Sequence, residues 1–284
     1  MERIEERQGL LSALPVLILL GAIFLAPLLV VAGFAFMPPK VFHLAHLPSF
    51  ENFRIFFDQG YHAPLLRSLG MAGAATVLLF VLCYPLAYGM AKIFGRFSLA
   101  ITLAVVATLF VSENIRLFGW VLTLMKGGML PGHLEAWTGL EMDGLLYNLP
   151  IIVLGLTYAY FPFMLFPLVQ GISMVPDDLR LAASDLGASR LRIFLEIDLP
   201  LAMPGIVVGS LLTFVLAAGA MAESKLLGGQ AVIVMADEIE TAFTYGQNWP
   251  LGSALALILI LIVGGLAILA LSKIDLDGIM GRRS

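Results

Sequence analysis

The chain has 284 residues, 60% of them hydrophobic and 13% charged, with a formal net charge of −4 and a mean hydropathy of +0.97. Soluble domains carry roughly 45–50% apolar and about 25% charged residues, so a water-facing globule cannot bury this much apolar surface and lipid is the expected solvent. No basic stripe points to nucleic acid, and the one cysteine, Cys83, excludes an intramolecular disulfide and a CxxC metal or redox motif.

A mixed-charge start (Glu2, Arg3, Glu5, Glu6, Arg7) runs into an apolar stretch from Leu10 to Phe36. That run exceeds a signal-peptide core of roughly 7–15 residues and is read as a retained first helix. Crossing ~30 Å of hydrocarbon takes about 20 mostly apolar residues. Six stretches qualify: Leu10–Phe36, Ser68–Ile93, Phe97–Leu124, Pro150–Val175, Pro204–Ala222 and Pro250–Leu271. Pro150, Pro204 and Pro250 stand at helix starts, where a missing N–H is harmless. Pro15, Pro27, Pro85, Pro162 and Pro167 fall inside spans and predict kinks satisfied by neighbouring helices. Gly70, Ala72, Gly73, Ala74 and Ala75 are small enough for close helix contact.

With the N-terminus inside, the inner segments hold Arg3, Arg7, Lys92, Arg96, Arg180, Arg190, Arg192, Lys273, Arg282 and Arg283. The outer segments hold Lys40, Arg54, Arg67, Lys126 and Lys225. Ten basic residues against five put both termini in the cytoplasm by the positive-inside rule.

The outer segments 37–67, 125–149 and 223–249 are rich in aromatic residues and glycine, including Phe50, Phe53, Phe56, Phe57, Tyr61, Trp137 and Tyr147. Interface aromatics account for them, and so does a vestibule that receives a solute. A short helix is predicted around Val234–Phe243.

The single long inner segment is Pro176–Met203. Asp177 or Asp178 can cap a helix there, and Leu179, Ala182, Ala183 and Leu186 recur at helical spacing. Gly187 suits a left-handed cap, and a second short helix over Arg190–Ile197 is ended by Pro200. One apolar face on such a hairpin serves equally for lying on lipid or for docking into a soluble partner.

The residues Leu181-Ala182-Ala183, Gly187 and Ile197-x-Leu199-Pro200 resemble the EAA loop of ABC-importer permeases, EAA-x3-G-x9-I-x-LP, with every spacing kept. One position departs, since Leu181 stands where the family has glutamate. Arg180 or Asp185 is the candidate replacement for the lost ion pair. The stretches Tyr84–Tyr88, Ser112–Trp120, Tyr158–Leu168 and Asn248–Ala254 are similar to permeases of the spermidine/putrescine importer group, which also handles opines and related solutes.

The resemblance implies an all-α integral membrane protein, a single permease domain over residues 1–284, with six transmembrane helices and a cytoplasmic coupling loop at 176–203. It implies a multi-pass protein of the bacterial inner membrane that works by alternating access. Its partners would be a second, homologous permease, two copies of an ATPase subunit and a periplasmic substrate-binding protein. No cofactor is expected on this chain. It has no GxxxxGK[ST] phosphate loop, so ATP and Mg²⁺ would sit on the ATPase, and no catalytic or metal site is expected here. The expected ATPase-coupling surface is Leu179, Leu181, Ala182, Ala183, Leu186 and Gly187.

Glu113, Asn114 and Arg116 fall within the third span. Glu113 and Arg116, three apart on one helix face, are placed to pair, and ionisable groups at this depth face the bundle interior or water. A structural ion pair and a role in the translocation path or gate both fit. Glu223, Asp237 and Glu240 extend the candidate path on the outer side, where nine acidic residues face five basic ones. This excess favours cationic solutes such as polyamines or opine-like compounds, although solvation of an outer loop accounts for it too. An amino-acid derivative or an organic anion carried by the same architecture is the alternative. A self-contained secondary transporter would need internal repeats and ionisable residues in several spans, and neither stands out. A membrane enzyme would need a convergent nucleophile, acid/base or metal set, and none is apparent.

Overall fold

The computed structural model describes residues 2–43, 46–141 and 143–272. Lys273, Arg282 and Arg283, together with the side chains of Arg3 and Arg7, lie outside the described part. Every regular element among the described residues is helical. In chain order these are α1 (Glu2–Ala35), α2 (Glu51–Asp58), α3 (His62–Lys92), α4 (Phe97–Leu109), α5 (Glu113–Leu124), α6 (Met129–Thr138) and α7 (Leu149–Ser173). They continue with α8 (Asp177–Asp185), α9 (Arg190–Leu201), α10 (Met203–Ala218), α11 (Met235–Phe243) and α12 (Trp249–Ser272).

At ~1.5 Å per residue, α1, α3, α7 and α12 each exceed the ~30 Å of a hydrocarbon core, and their composition is apolar enough to cross it. Two further apolar stretches are broken: α4 meets the following α5–α6 segment at 93°, and α9 meets α10 at 67°. Four helices thus qualify as spans, or six when each bent pair counts as one.

The continuous third helix expected over Phe97–Leu124 is the first of these breaks. The polar triplet Ser112-Glu113-Asn114 lies at the bend, where Ser112 is extended (φ −53°, ψ 138°) and Glu113 opens α5. A carboxylate there meets the positive end of the helix dipole, which favours restarting the helix at Glu113. The second departure is at Pro200, which does not end α9. A π-helical turn over Phe194–Asp198 precedes it, with the Leu199 N–H donating to the Phe194 carbonyl five residues back. The wider turn admits a proline that an α-helical interior would reject, and the bend moves to Ala202.

The described residues group into two compact units. The first joins residues 1–62 to 238–261. In it α1 turns its apolar side chains outward over a membrane-length stretch. At its end Asn52 of α2 donates to the carbonyls of Ala35 and Met37 at 3.1 and 2.7 Å, which satisfies terminal acceptors of α1. Phe36 packs its ring on Phe50 and Phe53, and Trp249 packs edge-on to Phe34 and Phe42. Part of the outer aromatic cluster is therefore packing, with Phe56 buried and Phe57 exposed.

The second unit holds residues 63–237 and, within the described part, 262–272. Its core joins α3 to α7 through Leu79, Cys83, Tyr84, Met164, Leu168 and Ile172, with Ala202 against them. Cys83 is a fully buried small hydrophobe there. Helices α7 and α10 pack along much of their length because glycines face each other where they cross. A Cβ on Gly171 would fall 2.8 Å from the Cα of Gly205. Backbones can approach this closely only where neither residue has a side chain.

Candidate functional site

Two groups of polar residues in the second unit are built in ways the apolar packing does not explain. The first roots the α8–α9 hairpin. Arg180 of α8 places Nε 2.6 Å from Oδ1 of Asp198 and Nη1 3.4 Å from Oδ1 of Asp177. Its guanidinium lies 4.9 Å from the centre of the Tyr88 ring. Lys92, at the end of α3, donates to the Val175 carbonyl at 2.7 Å and to Asp177 at 2.8 Å. That hydrogen bond from Lys92 holds the Asp177 carboxyl below the usual carboxylate range. Tyr84 meets Phe194 edge-on, with centroids 5.3 Å apart. The hairpin is thus pinned at its base by ions and aromatic rings.

Its other side is bare. Leu181 is 63% and Leu186 89% exposed, Leu179 and Ala182 are exposed as well, and Ala183 is half-buried. Gly187 adopts φ +81°, the left-handed cap expected of it, which a β-carbon would strain. Among the described residues Arg180 pairs with Asp177 and Asp198 of the same chain, and Asp185 forms no ion pair. Leu181 leaves an apolar side chain on the surface. The sequence reading missed Asp198, Lys92 and Tyr88. The signal for Asp198 was an acid in an otherwise apolar Ile-x-Leu-Pro context, which asks for a buried cation.

The second group joins the break between α4 and α5 to the segment that follows α10. Glu113 begins α5, and Glu223 precedes a π-helical turn over Ser224–Gly228. Glu223 is 1% exposed, with Glu113 and Tyr160 of α7 approaching its carboxyl. Neither of its oxygens makes a well-formed hydrogen bond to another residue. The pairing of Glu113 with Arg116 suggested by their spacing is absent among the described ion pairs. Arg116 instead lies 5.6 Å from the Tyr158 ring centre, which Trp120 also meets edge-on. Its Nε and Nη1 are buried without a partner. Asn114 is exposed.

Asp237 has a structural task. Its Oδ2 accepts from the Val234 N–H at 3.1 Å and lies 2.8 Å from the Ser224 hydroxyl, tying the start of α11 to the π-helical turn. Glu240 is half-buried on α11, in the first unit. An apolar cleft of about 500 Å³ runs between α4 and α7, lined by Ile101, Val105, Trp120, Leu154, Tyr158 and Phe161.

Residues 9–274 match the family described as "binding-protein-dependent transport system inner membrane component". The spermidine/putrescine transport system permease protein PotB of Haemophilus influenzae is 34% identical over 208 residues, covering 73% of each chain. PotB of Escherichia coli is 32% identical over 216 residues, covering 75% of this chain and 78% of its own. A bacterial ABC transporter that imports the acidic polysaccharide alginate shares the fold, with a TM-score of 0.75 at 18% identity over 96% of both chains. A family match over nearly the whole chain, together with two relatives above 30% identity, decides the matter: the chain belongs to the inner-membrane permease components of binding-protein-dependent transport systems.

Proposed function

We propose that the chain is one permease subunit of an ATP-driven importer, forming half of a translocation pathway that opens alternately to either side of the bacterial inner membrane. The observation that carries this reading is the α8–α9 hairpin, with an ion-paired root on α3 and a bare face of Leu179, Leu181 and Leu186. Packed elements transmit displacement with little deformation, so a stiff root and an apolar cap suit a lever moved by a soluble partner. The partner is an ATPase chain that binds ATP and Mg²⁺ itself. It docks on Leu179, Leu181, Ala182, Ala183, Leu186 and Gly187. Two ATPase copies, a second permease and a periplasmic binding protein complete the assembly. The hairpin and both termini then lie in the cytoplasm, with each bent helix pair serving as one of six spans.

The favoured solute is a polyamine. Support comes from the two PotB relatives, named for spermidine and putrescine transport, and from the acidic excess of the outer segments. The test is affinity purification of the tagged chain from its native host, followed by reconstitution with the binding protein. An ATPase subunit is expected to co-purify, and labelled spermidine or putrescine is expected to enter vesicles only with ATP. Absence of any ATPase from the purified complex would sink the permease reading. ATP-driven vesicles that exclude both amines would sink the solute assignment.

A further inference from the structure

A carboxylate buried in a low-dielectric interior is strongly unfavourable unless a cation or several donors face it. Glu223 breaks this rule. It is 1% exposed, neither oxygen makes a well-formed hydrogen bond to another residue, and the side chain that faces it is a second acid, Glu113. The nearby basic residue does not resolve the deficit, because Arg116 lies against the Tyr158 ring and forms no ion pair among the described residues. Two acids thus meet at one place, and neither forms an ion pair among the described residues.

Where the two acids stand adds an independent observation. Glu113 follows the break between α4 and α5, and Glu223 lies between the end of α10 and a π-helical turn. Irregular backbone at membrane depth is tolerated where it is buried in protein or lines a cavity, and broken helices in transporters converge on the solute site. The Gly155 position of α7 makes room for Leu227 of the π-helical turn, and the Glu223 stem lies beside it at ordinary contact distance.

We infer that Glu223 and Glu113, with Tyr160 beside them, form an occluded binding site for one ammonium group of the solute, so that the cargo supplies the opposite charge. The inference rests on the proposed polyamine import and specifies where this subunit holds its solute. Arg116 carries the wrong charge to hold an ammonium, and Asp237 commits its Oδ2 to Val234 and Ser224, which leaves only its Oδ1 without a partner. The tyrosine hydroxyl can donate to either acid or accept from an ammonium N–H.

The test uses the assembled complex in detergent, without binding protein, labelled by the apolar reagent dicyclohexylcarbodiimide and read by peptide mass spectrometry. Spermidine or putrescine is expected to protect Glu223 and Glu113 from labelling, and sodium chloride of equal ionic strength is not. In vesicles, Glu223→Gln and Glu113→Gln are each expected to lower ATP-driven spermidine uptake by roughly tenfold or more. Co-purification of the ATPase shows whether each variant still assembles, and where one does not, protection of the wild-type protein decides. Equal labelling with and without amine overturns the site, as does wild-type uptake by Glu223→Gln, and polyamine import can stand in either case. Protection by amines in a complex that imports no polyamine upholds the site and overturns the solute assignment.

Discussion

Arg180 Nε and Asp198 Oδ1 are 2.6 Å apart, and their side chains are only 13% and 6% exposed. This pair joins the first helix of the hairpin to the second beyond its glycine turn, so the hairpin closes on itself as well as on α3. Removing Arg180 leaves Asp198 as an unpaired buried charge, a change of about 3–5 kcal/mol, and removing Asp198 leaves Arg180 only its longer contact with Asp177. Arg180→Ala or Asp198→Ala is therefore expected to lower the melting temperature of the assembled complex markedly. The double change Arg180→Met with Asp198→Leu is expected to recover most of that loss, because it removes both charges and keeps the volume. A double variant as unstable as the single ones would show that the pair itself is not what holds the hairpin.

The Lys92–Asp177 contact predicts a pH dependence of definite sign. Asp177 titrates lower when folded than when unfolded, chiefly through the hydrogen bond from Lys92. The stabilisation is then fully present above the unfolded aspartate range of about 3.9, and it is lost as pH falls through the folded value. Between neutrality and that range wild type should stay ahead of Asp177→Asn by a constant margin. Below it the melting curves should converge. A gap that instead narrows at alkaline pH would assign the effect to another group.

Close packing of α7 on α10 yields a sharp steric contrast. A methyl on Gly171 would meet the Gly205 backbone at 2.8 Å, whereas the Cβ positions of Gly70 and Gly73 open onto empty space. Gly171→Ala is expected to destabilise the protein by about 1–3 kcal/mol, the range for forcing extra volume into a packed interior. Gly70→Ala and Gly73→Ala should be close to neutral or slightly stabilising, since alanine favours the helix. Melting temperatures of the three variants in one detergent decide it.

These glycines mark how far the sequence could be read. Four of the six apolar runs overlap the long apolar helices α1, α3, α7 and α12, and Gly187 was recognisable as a left-handed cap from its place between two short amphipathic segments. Close helix contact was expected from Gly70 to Ala75, yet the tight crossing lies at Gly171 and Gly205, whose Gly205-Ile206-Val207-Val208-Gly209 spacing was the overlooked signal. Run length alone could not reveal the bends at Ser112 and Ala202, because a broken helix is as apolar as a straight one. The polar triplet at 112–114 was visible, but its effect depends on Glu223, more than a hundred residues away in sequence, coming to face Glu113. Helical spacing likewise paired Glu113 with Arg116, and tertiary contacts with Tyr158 overrode that local preference.

The exposed cap of the hairpin separates assembly from folding. Leu186 is 89% exposed, so Leu186→Glu removes almost no packing within this chain, and surface changes of this kind alter stability by about 0.5 kcal/mol or less. At an interface the same change places a charge in an apolar contact, where a buried, unpaired carboxylate is strongly unfavourable. The variant is therefore expected to melt like wild type in detergent and to lose the co-purifying ATPase and ATP-driven uptake together. Leu181→Glu is the informative companion, because it introduces the acid that the resemblance to the EAA loop leads one to expect at this position. If Leu181 simply fills an apolar contact, the acid weakens assembly; if the ATPase presents a base there, assembly is kept or strengthened. Wild-type assembly and uptake with Leu186→Glu would place the docking face elsewhere on the protein.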